Sequence, residues 1–166
     1  SRGLGDVYKR QLLVDDERSI RDMLSIFLRK HDMDVVCAES GEQALAFLKS
    51  QPFDVVVSDV KMPGMSGLEL LQHVRATRPE PPELILMTAF SSTADAIQAT
   101  EAGAFDYFTK PFKLDRIEES IRRALEERGR RKNARQVDAE KRFDFSNIVG
   151  RSEPMRQIFE MIRRVA

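Results

Sequence analysis

The chain has almost no cysteine and no long apolar segment. Cys37 is the only cysteine among 166 residues, so neither an internal disulfide nor a cysteine-based metal site is expected. No stretch approaches the roughly 18 apolar residues of a membrane span, and the N-terminus lacks the apolar core of a signal peptide. We therefore expect a globular protein of the cytoplasm with no membrane partner.

Net charge is also absent, since 27 basic residues balance 27 acidic ones. Residues 11–121 nevertheless contain 19 acids and 11 bases, whereas residues 122–142 contain 9 bases and 4 acids. An acidic domain is therefore followed by a basic segment. Because no aromatic residues interleave with this basic charge, a solvated helix face or linker is favoured over a nucleic-acid site.

Short apolar runs alternate with amphipathic segments from Leu12 onward, at a spacing typical of repeated βα units. The runs are nearly continuous in apolar residues, as in parallel strands that helices cover on both faces. The pattern predicts an α/β fold, a doubly wound five-stranded parallel sheet of order 2-1-3-4-5 with five helices.

Composition also suggests how the chain is divided. Residues 1–11 include a segment that reads like a translated sequencing adaptor, so we expect a non-native leader outside the fold. The α/β domain is expected over residues 12–127, followed by a basic, helical linker over residues 128–142, in which Gly129 should weaken the helix. Residues 143–166 are expected to begin a second domain, with a helix capped by Ser152.

Four of the apolar runs end in reactive polar residues. These are Asp15 and Asp16 after the first run, Asp59 after the third, Thr88 after the fourth and Lys110 after the fifth. Because the carboxyl ends of parallel strands lie along one edge of the sheet, three carboxylates, a hydroxyl and an ammonium should converge there. Such a pocket suits a divalent cation and a phosphoryl group.

The acidic residues of this pocket predict a magnesium site. Two unit charges about 4 Å apart repel by roughly 4 kcal/mol at an effective dielectric near 20, so a cation is needed to offset them. An all-oxygen site that leaves room for water suits Mg²⁺. We expect Asp16 and Asp59 as direct ligands, a backbone carbonyl near Lys61 as a further ligand, and Asp15 acting through water.

Asp59 is the best placed residue to attack phosphorus and form an acyl phosphate, because it ends the central run. The metal ion and Lys110 would neutralise the charge that spreads over the transferring oxygens. Thr88 could donate its hydroxyl to a phosphoryl oxygen, and the small side chain of Ala89 would leave space for the incoming group.

From Leu12 to about Glu127 the chain resembles a two-component response regulator receiver domain, which has the CheY/flavodoxin-like fold. The matching segments are Val14–Glu17, Asp59–Gly67, Thr88–Ala89, Tyr107 and Lys110–Phe112. The resemblance implies phosphotransfer from a sensor histidine kinase to Asp59, and slow self-dephosphorylation tuned by Lys61 and Phe90. It also implies a switch made by Thr88 and Tyr107, and a cis proline after Lys110.

The segment Phe143–Met155 resembles the opening of the AAA+ ATPase domain of NtrC-type regulators, which activate sigma-54 RNA polymerase. No Gly-x-x-x-x-Gly-Lys-Ser/Thr loop occurs in the chain, so ATP hydrolysis is not expected of these residues. Contacts with RNA polymerase and DNA would belong to further domains. The resemblance also leaves a homodimer possible.

Three functions remain open from the sequence. The first is a phosphorylatable receiver that controls a sigma-54-dependent transcription activator and is no enzyme in the ordinary sense. The second is a magnesium-dependent phosphohydrolase that uses Asp59 as its nucleophile; such an enzyme usually needs an acid or base just past the nucleophile, where Lys61 stands. The third is a pseudo-receiver, a binding module that is never phosphorylated.

Overall fold

The computed structural model describes residues 9–89 and 92–149, with side chains described up to residue 142. Strands and helices alternate along the chain. The strands are β1 (Arg10–Val14), β2 (Asp34–Ala38), β3 (Val55–Asp59), β4 (Glu83–Thr88) and β5 (Asp106–Thr109). The helices are α1 (Arg18–Lys30), α2 (Gly41–Ser50), α3 (Gly67–Thr77), α4 (Thr93–Glu101) and α5 (Leu114–Val149).

All five strands pair in parallel, in the order β2-β1-β3-β4-β5. This confirms the predicted fold class and strand order. The register sets Val14 beside Ser58, Asp59 beside Met87 and Thr88 beside Thr109. The ends of the four strands β1, β3, β4 and β5 therefore lie along one edge of the sheet.

Apolar side chains fill both faces of the sheet. One face is covered by α2, α3 and α4, through residues such as Leu48, Leu71 and Ala99. The other face is covered by α1 and the first turns of α5, through residues such as Leu24 and Ile117. The central strands are buried on both sides, which explains why their sequences are almost continuously apolar. Within the described part of the chain, no helix has the length and hydropathy needed to cross a membrane.

Strand β1 begins two residues earlier than predicted. Arg10 and Gln11 were expected to lie outside the fold, but they pair with Asp34 and Val35 of β2, and Gln11 is fully buried. Parallel pairing uses backbone N–H and C=O groups, which any residue except proline supplies. The side chain of Arg10 also forms an ion pair with Asp34 at 3.0 Å. The origin of the leader stays a prediction.

Helix α5 continues through Gly129, which confirms that the segment after the α/β domain is helical. A glycine inside a helix costs about 1 kcal/mol relative to alanine, which is too little to end a helix whose neighbours favour it. Ion pairs from Arg130 and Arg131 to Glu127 support the backbone here. The described part of the chain divides into two compact units, with the boundary between residues 126 and 127. The helix predicted at Ser152 lies outside the described residues.

Candidate metal and phosphoryl site

Asp59 is the last residue of β3, and only 5% of its surface is exposed. Two backbone hydrogen bonds hold the neighbouring strand ends in line. Val60 donates to the carbonyl of Met87 at 2.8 Å, and Lys110 donates to the carbonyl of Thr88 at 2.7 Å. The residues that follow β3 and β5 are therefore fixed against the end of β4.

The structure brings the three predicted carboxylates together. One oxygen each from Asp15, Asp16 and Asp59 lies within 4.8 Å of the others, a spacing that a single metal ion could bridge. Asp15 is fully buried and Asp59 nearly so, whereas Asp16 is exposed. The cluster therefore combines buried negative charge with an opening toward solvent.

Both carboxylate oxygens of Asp15 already have protein partners. Oδ1 accepts a hydrogen bond from the backbone N–H of Glu17 at 2.9 Å, and Oδ2 accepts one from Nζ of Lys110 at 2.9 Å. The oxygens of Asp16 and Asp59 are thus more available for a metal ion. This favours the predicted arrangement, in which Asp15 acts through water.

Lys110 joins the two buried carboxylates. Its Nζ lies 2.9 Å from Oδ2 of Asp15 and 3.5 Å from Oδ2 of Asp59, with its side chain 14% exposed. Burial alone would lower the pKa of Lys110, but the hydrogen bond and charge of Asp15, with the charges of Asp59 and Glu17, raise it above 10.5. The ammonium therefore stays charged at neutral pH. The Lys110–Pro111 peptide bond is cis, as the resemblance implied.

The environment of Asp59 disfavours its charge. Burial, followed by repulsion from Asp15 and to a lesser extent Asp16, raises the pKa of Asp59 from 3.8 to about 6, although Lys110 opposes this. One ammonium is thus insufficient to compensate three neighbouring carboxylates. The chemistry of these donors, all oxygen and partly uncompensated, fits a hard divalent cation.

Thr88 is buried at the end of β4 and shares a side-chain hydrogen bond with Tyr107. Burial and then the charge of Asp95 raise the pKa of the Tyr107 phenol, and the bond to Thr88 opposes the rise. A cavity of about 90 Å³ lies beside this pair, lined by residues of β4, β5, α3, α4 and the loop after β3, including Asp95, Gln98 and Leu68. The predicted switch pair is therefore connected, with free space next to it.

The loop between β3 and α3 is closed tightly at its base. Gly67 donates its N–H to the carbonyl of Val60 at 2.9 Å, and a β-carbon on Gly67 would lie 2.2 Å from the carbonyl oxygen of Asp59. Only glycine fits such an approach. Lys61 lies in this loop, but its carbonyl as a metal ligand stays a prediction. Phe90, the other predicted tuning residue, lies outside the described residues.

Sequence reasoning missed two supports of the site. The guanidinium of Arg21 donates from α1 to the backbone carbonyl of Asp15 at 2.7 Å. The carboxylate of Glu42, on α2, accepts the backbone N–H of Met65 at 2.8 Å. Neither contact follows from a local motif: the first depends on how α1 packs after its preceding loop, and the second joins α2 to a loop 23 residues away in sequence.

Comparison with known proteins agrees with this geometry. The sequence profile of the response regulator receiver domain matches residues 12–122, the part of the chain that forms the sheet and its helices. The chain belongs to the response regulator receiver domain family. This receiver domain carries the acidic cluster, Lys110 and the bonded pair Thr88 and Tyr107 at the strand ends described above.

Individual relatives give the same assignment. The chain is 35% identical over 158 residues to the response regulator protein PilR of Pseudomonas aeruginosa, covering 95% of this chain and 34% of that protein. It is 34% identical over 154 residues to the DNA-binding transcriptional regulator NtrC of Salmonella typhimurium, covering 93% of this chain and 32% of that protein. The chain therefore spans about a third of the length of these relatives.

A solved structure of another response regulator resembles the receiver domain closely. It is TrrA of Thermotoga maritima, crystallised in complex with Mg(2+)-BeF, at a TM-score of 0.64 and 36% identity. The match covers 70% of this chain and 99% of that one.

Proposed function

We propose that this receiver domain accepts a phosphoryl group on Asp59 in a magnesium-dependent reaction and thereby switches its output. The observation that carries the proposal is the position of Lys110, whose ammonium lies between the carboxylates of Asp15 and Asp59. A cation held there is placed to neutralise charge on a group bound to Asp59.

The residues present fit a magnesium ion. Asp16 and Asp59 would bind it directly, Asp15 through water, and the carbonyl of Lys61 would add a further oxygen. When bound, the ion would supply positive charge against the phosphoryl oxygens. The similarity to TrrA, a response regulator crystallised in complex with Mg(2+)-BeF, supports a magnesium-dependent role for this receiver domain.

The reaction transfers one phosphoryl group. A carboxylate oxygen of Asp59 forms a bond to phosphorus while the bond from phosphorus to the donor, a phosphohistidine nitrogen of a sensor kinase, breaks. Lys110 stabilises the negative oxygens during transfer, and Thr88 donates its hydroxyl to one of them afterwards. Slow hydrolysis of the acyl phosphate, tuned by Lys61 and Phe90, would end the signal.

We further propose that the output is a sigma-54-dependent transcription activator in the cytoplasm. The similarity to PilR and NtrC extends over more than nine tenths of this chain, beyond the receiver domain itself. Residues 143–166 would then begin the AAA+ domain, and RNA polymerase and DNA would be contacted by other parts of the protein. Residues 128–142 would link the two domains, and phosphorylation could act through a homodimer.

Labelling with a small acyl phosphate tests the proposal. We expect a phosphorylated product that requires Mg²⁺, is hydrolysed in mild alkali and is lost in Asp59→Ala. The control is Asp138→Ala, which removes an exposed carboxylate of α5 well beyond Lys110 in sequence and should label normally. Labelling that persists in Asp59→Ala, or Mg²⁺ binding without labelling, would contradict the proposal. Catalytic turnover of phosphomonoesters would instead support the phosphohydrolase.

A further inference from the structure

A contact between α2 and the loop after β3 is not used by the mechanism above. Oε1 of Glu42 accepts the backbone N–H of Met65 at 2.8 Å. Gly64, with φ of +77°, lies so close that a β-carbon there would be 2.7 Å from the same oxygen. A β-carbon on Gly41 would meet the side chain of Met65 at 2.8 Å. The first turn of α2 is thus closely packed against Gly64 and Met65 of the loop.

Other hydrogen bonds, which do not involve Glu42, hold the base of this loop where it meets β3 and α3. Gly67 donates to the carbonyl of Val60, and Ser66 caps α3 by accepting the backbone N–H of Glu69 at 3.1 Å. The segment of residues 60–66, here called the phosphoacceptor loop, is therefore held at its base by the backbone bond between Gly67 and Val60, and at Met65 by Glu42. Lys61 lies between these two points of attachment.

We infer that Glu42 is a positioning residue that holds the phosphoacceptor loop, so that the carbonyl of Lys61 stays in place for the metal ion. The inference rests on the proposed function, because it assigns to Glu42 a share in the magnesium affinity of that site. Glu42 contacts neither the ion nor the phosphoryl group. It acts only through the backbone of Met65.

The chemistry of the contact suits this role. Hydrogen bonds from its own backbone and then from Met65 keep the pKa of Glu42 below the ordinary 4.5, so the side chain is anionic at neutral pH. A charged acceptor makes a shorter and stronger hydrogen bond than a neutral one. Gly64, the residue before Met65, has more backbone freedom than any other residue type would have, so the bond to Glu42 restricts a segment that is otherwise permissive.

The test measures the dependence of labelling on Mg²⁺ concentration in four proteins. For Glu42→Ala we expect the magnesium concentration at half-maximal rate to rise about threefold to tenfold, the effect of one lost hydrogen bond of ordinary net strength. The rate at saturating Mg²⁺ should stay within about twofold of the wild type, because Asp59 and Lys110 are unchanged. Glu42→Gln keeps an acceptor oxygen and should recover most of the affinity.

Glu69→Ala is the matched control, because it removes an exposed carboxylate from the first turn of α3 without removing the bond to Met65. It should leave the magnesium dependence unchanged. Hydrogen exchange of the Met65 amide should accelerate in Glu42→Ala, and remain slow in Glu69→Ala. If Glu42→Ala labels with the magnesium dependence of the wild type, the positioning role is refuted while the proposed function stands. If the wild type itself is not labelled, both fail.

Discussion

The replacement of Asp59 by asparagine is expected to stabilise the metal-free receiver domain. Asparagine has nearly the shape of aspartate but no charge. In the wild type, the Asp59 carboxylate is buried beside Asp15 and Asp16, and this environment raises its pKa to about 6. The substitution therefore removes a charge that the fold disfavours.

The magnitude follows from proton linkage. A pKa of about 6 in the folded state, against 3.8 for the ordinary group, corresponds to about 3 kcal/mol between the two protonation states. The folded protein holds the proton more tightly than the unfolded chain, so the favourable contribution of Asp59 is complete below about pH 4 and is lost as the pH rises through about 6. At neutral pH, Asp59→Asn should regain up to about 3 kcal/mol, since asparagine does not ionise.

Thermal unfolding in the presence of a chelator measures this effect. For a domain of this size we expect the Tm of Asp59→Asn to exceed that of the wild type by about 5–10 °C near pH 7.5, by about half as much near pH 5, and by little below about pH 4. Addition of Mg²⁺ should raise the Tm of the wild type more than that of the variant, because the metal compensates the charge that the variant lacks.

The control is Asp115→Asn, at an exposed position in the first turn of α5. Its Tm should be close to that of the wild type, because a surface substitution usually changes the free energy of unfolding by about 0.5 kcal/mol or less. A chelator-treated Asp59→Asn protein with a Tm equal to or below that of the wild type at neutral pH would refute the electrostatic description of the site.

Two further predictions concern the packing and charge of the site. Gly67→Ala should lower the free energy of unfolding by about 1–3 kcal/mol or more, because its β-carbon would meet the carbonyl of Asp59; denaturant titration measures this change. The β-carbon of Gly129→Ala would meet no other atom, so this variant should increase the helix content, which circular dichroism measures. Equal stability of wild type and Gly67→Ala would contradict the close approach. Lys110→Met should raise the pKa of Asp59 further, as followed by carboxyl-carbon NMR, and an unchanged pKa would show that the two groups do not interact.

The sheet and the acidic cluster could be predicted because their signals are local. An apolar run followed by a polar residue marks a strand end, and the rule that parallel strands end on one edge brings distant residues such as Asp15, Asp59 and Lys110 together. The same reasoning fails where the signal depends on packing. Glu42 is 23 residues from Met65, and nothing in either segment indicates their contact.

The start of β1 was placed wrongly for a physical reason. Arg10 and Gln11 pair in β1 through backbone groups, which carry no sequence signature, so composition misplaced the start of the strand. The helical linker, in contrast, was predicted, and Gly129 does not interrupt it. The cost of one helical glycine, about 1 kcal/mol, is offset in part by the ion pairs of its neighbours, at about 0.2–0.5 kcal/mol each.

The charges of the site connect the proposed chemistry to the switch. Three carboxylates and one ammonium leave a net charge of −2, which a divalent cation would cancel. Phosphorylation of Asp59 would replace one negative charge with roughly two, so the site would again become negative and gain strong acceptor oxygens. The buried hydroxyl of Thr88 is a donor at the same edge, now bonded with Tyr107 beside an open cavity. If the hydroxyl of Thr88 turned to bond a phosphoryl group on Asp59, its bond to Tyr107 would break. The Tyr107 side chain could then move into the adjacent cavity.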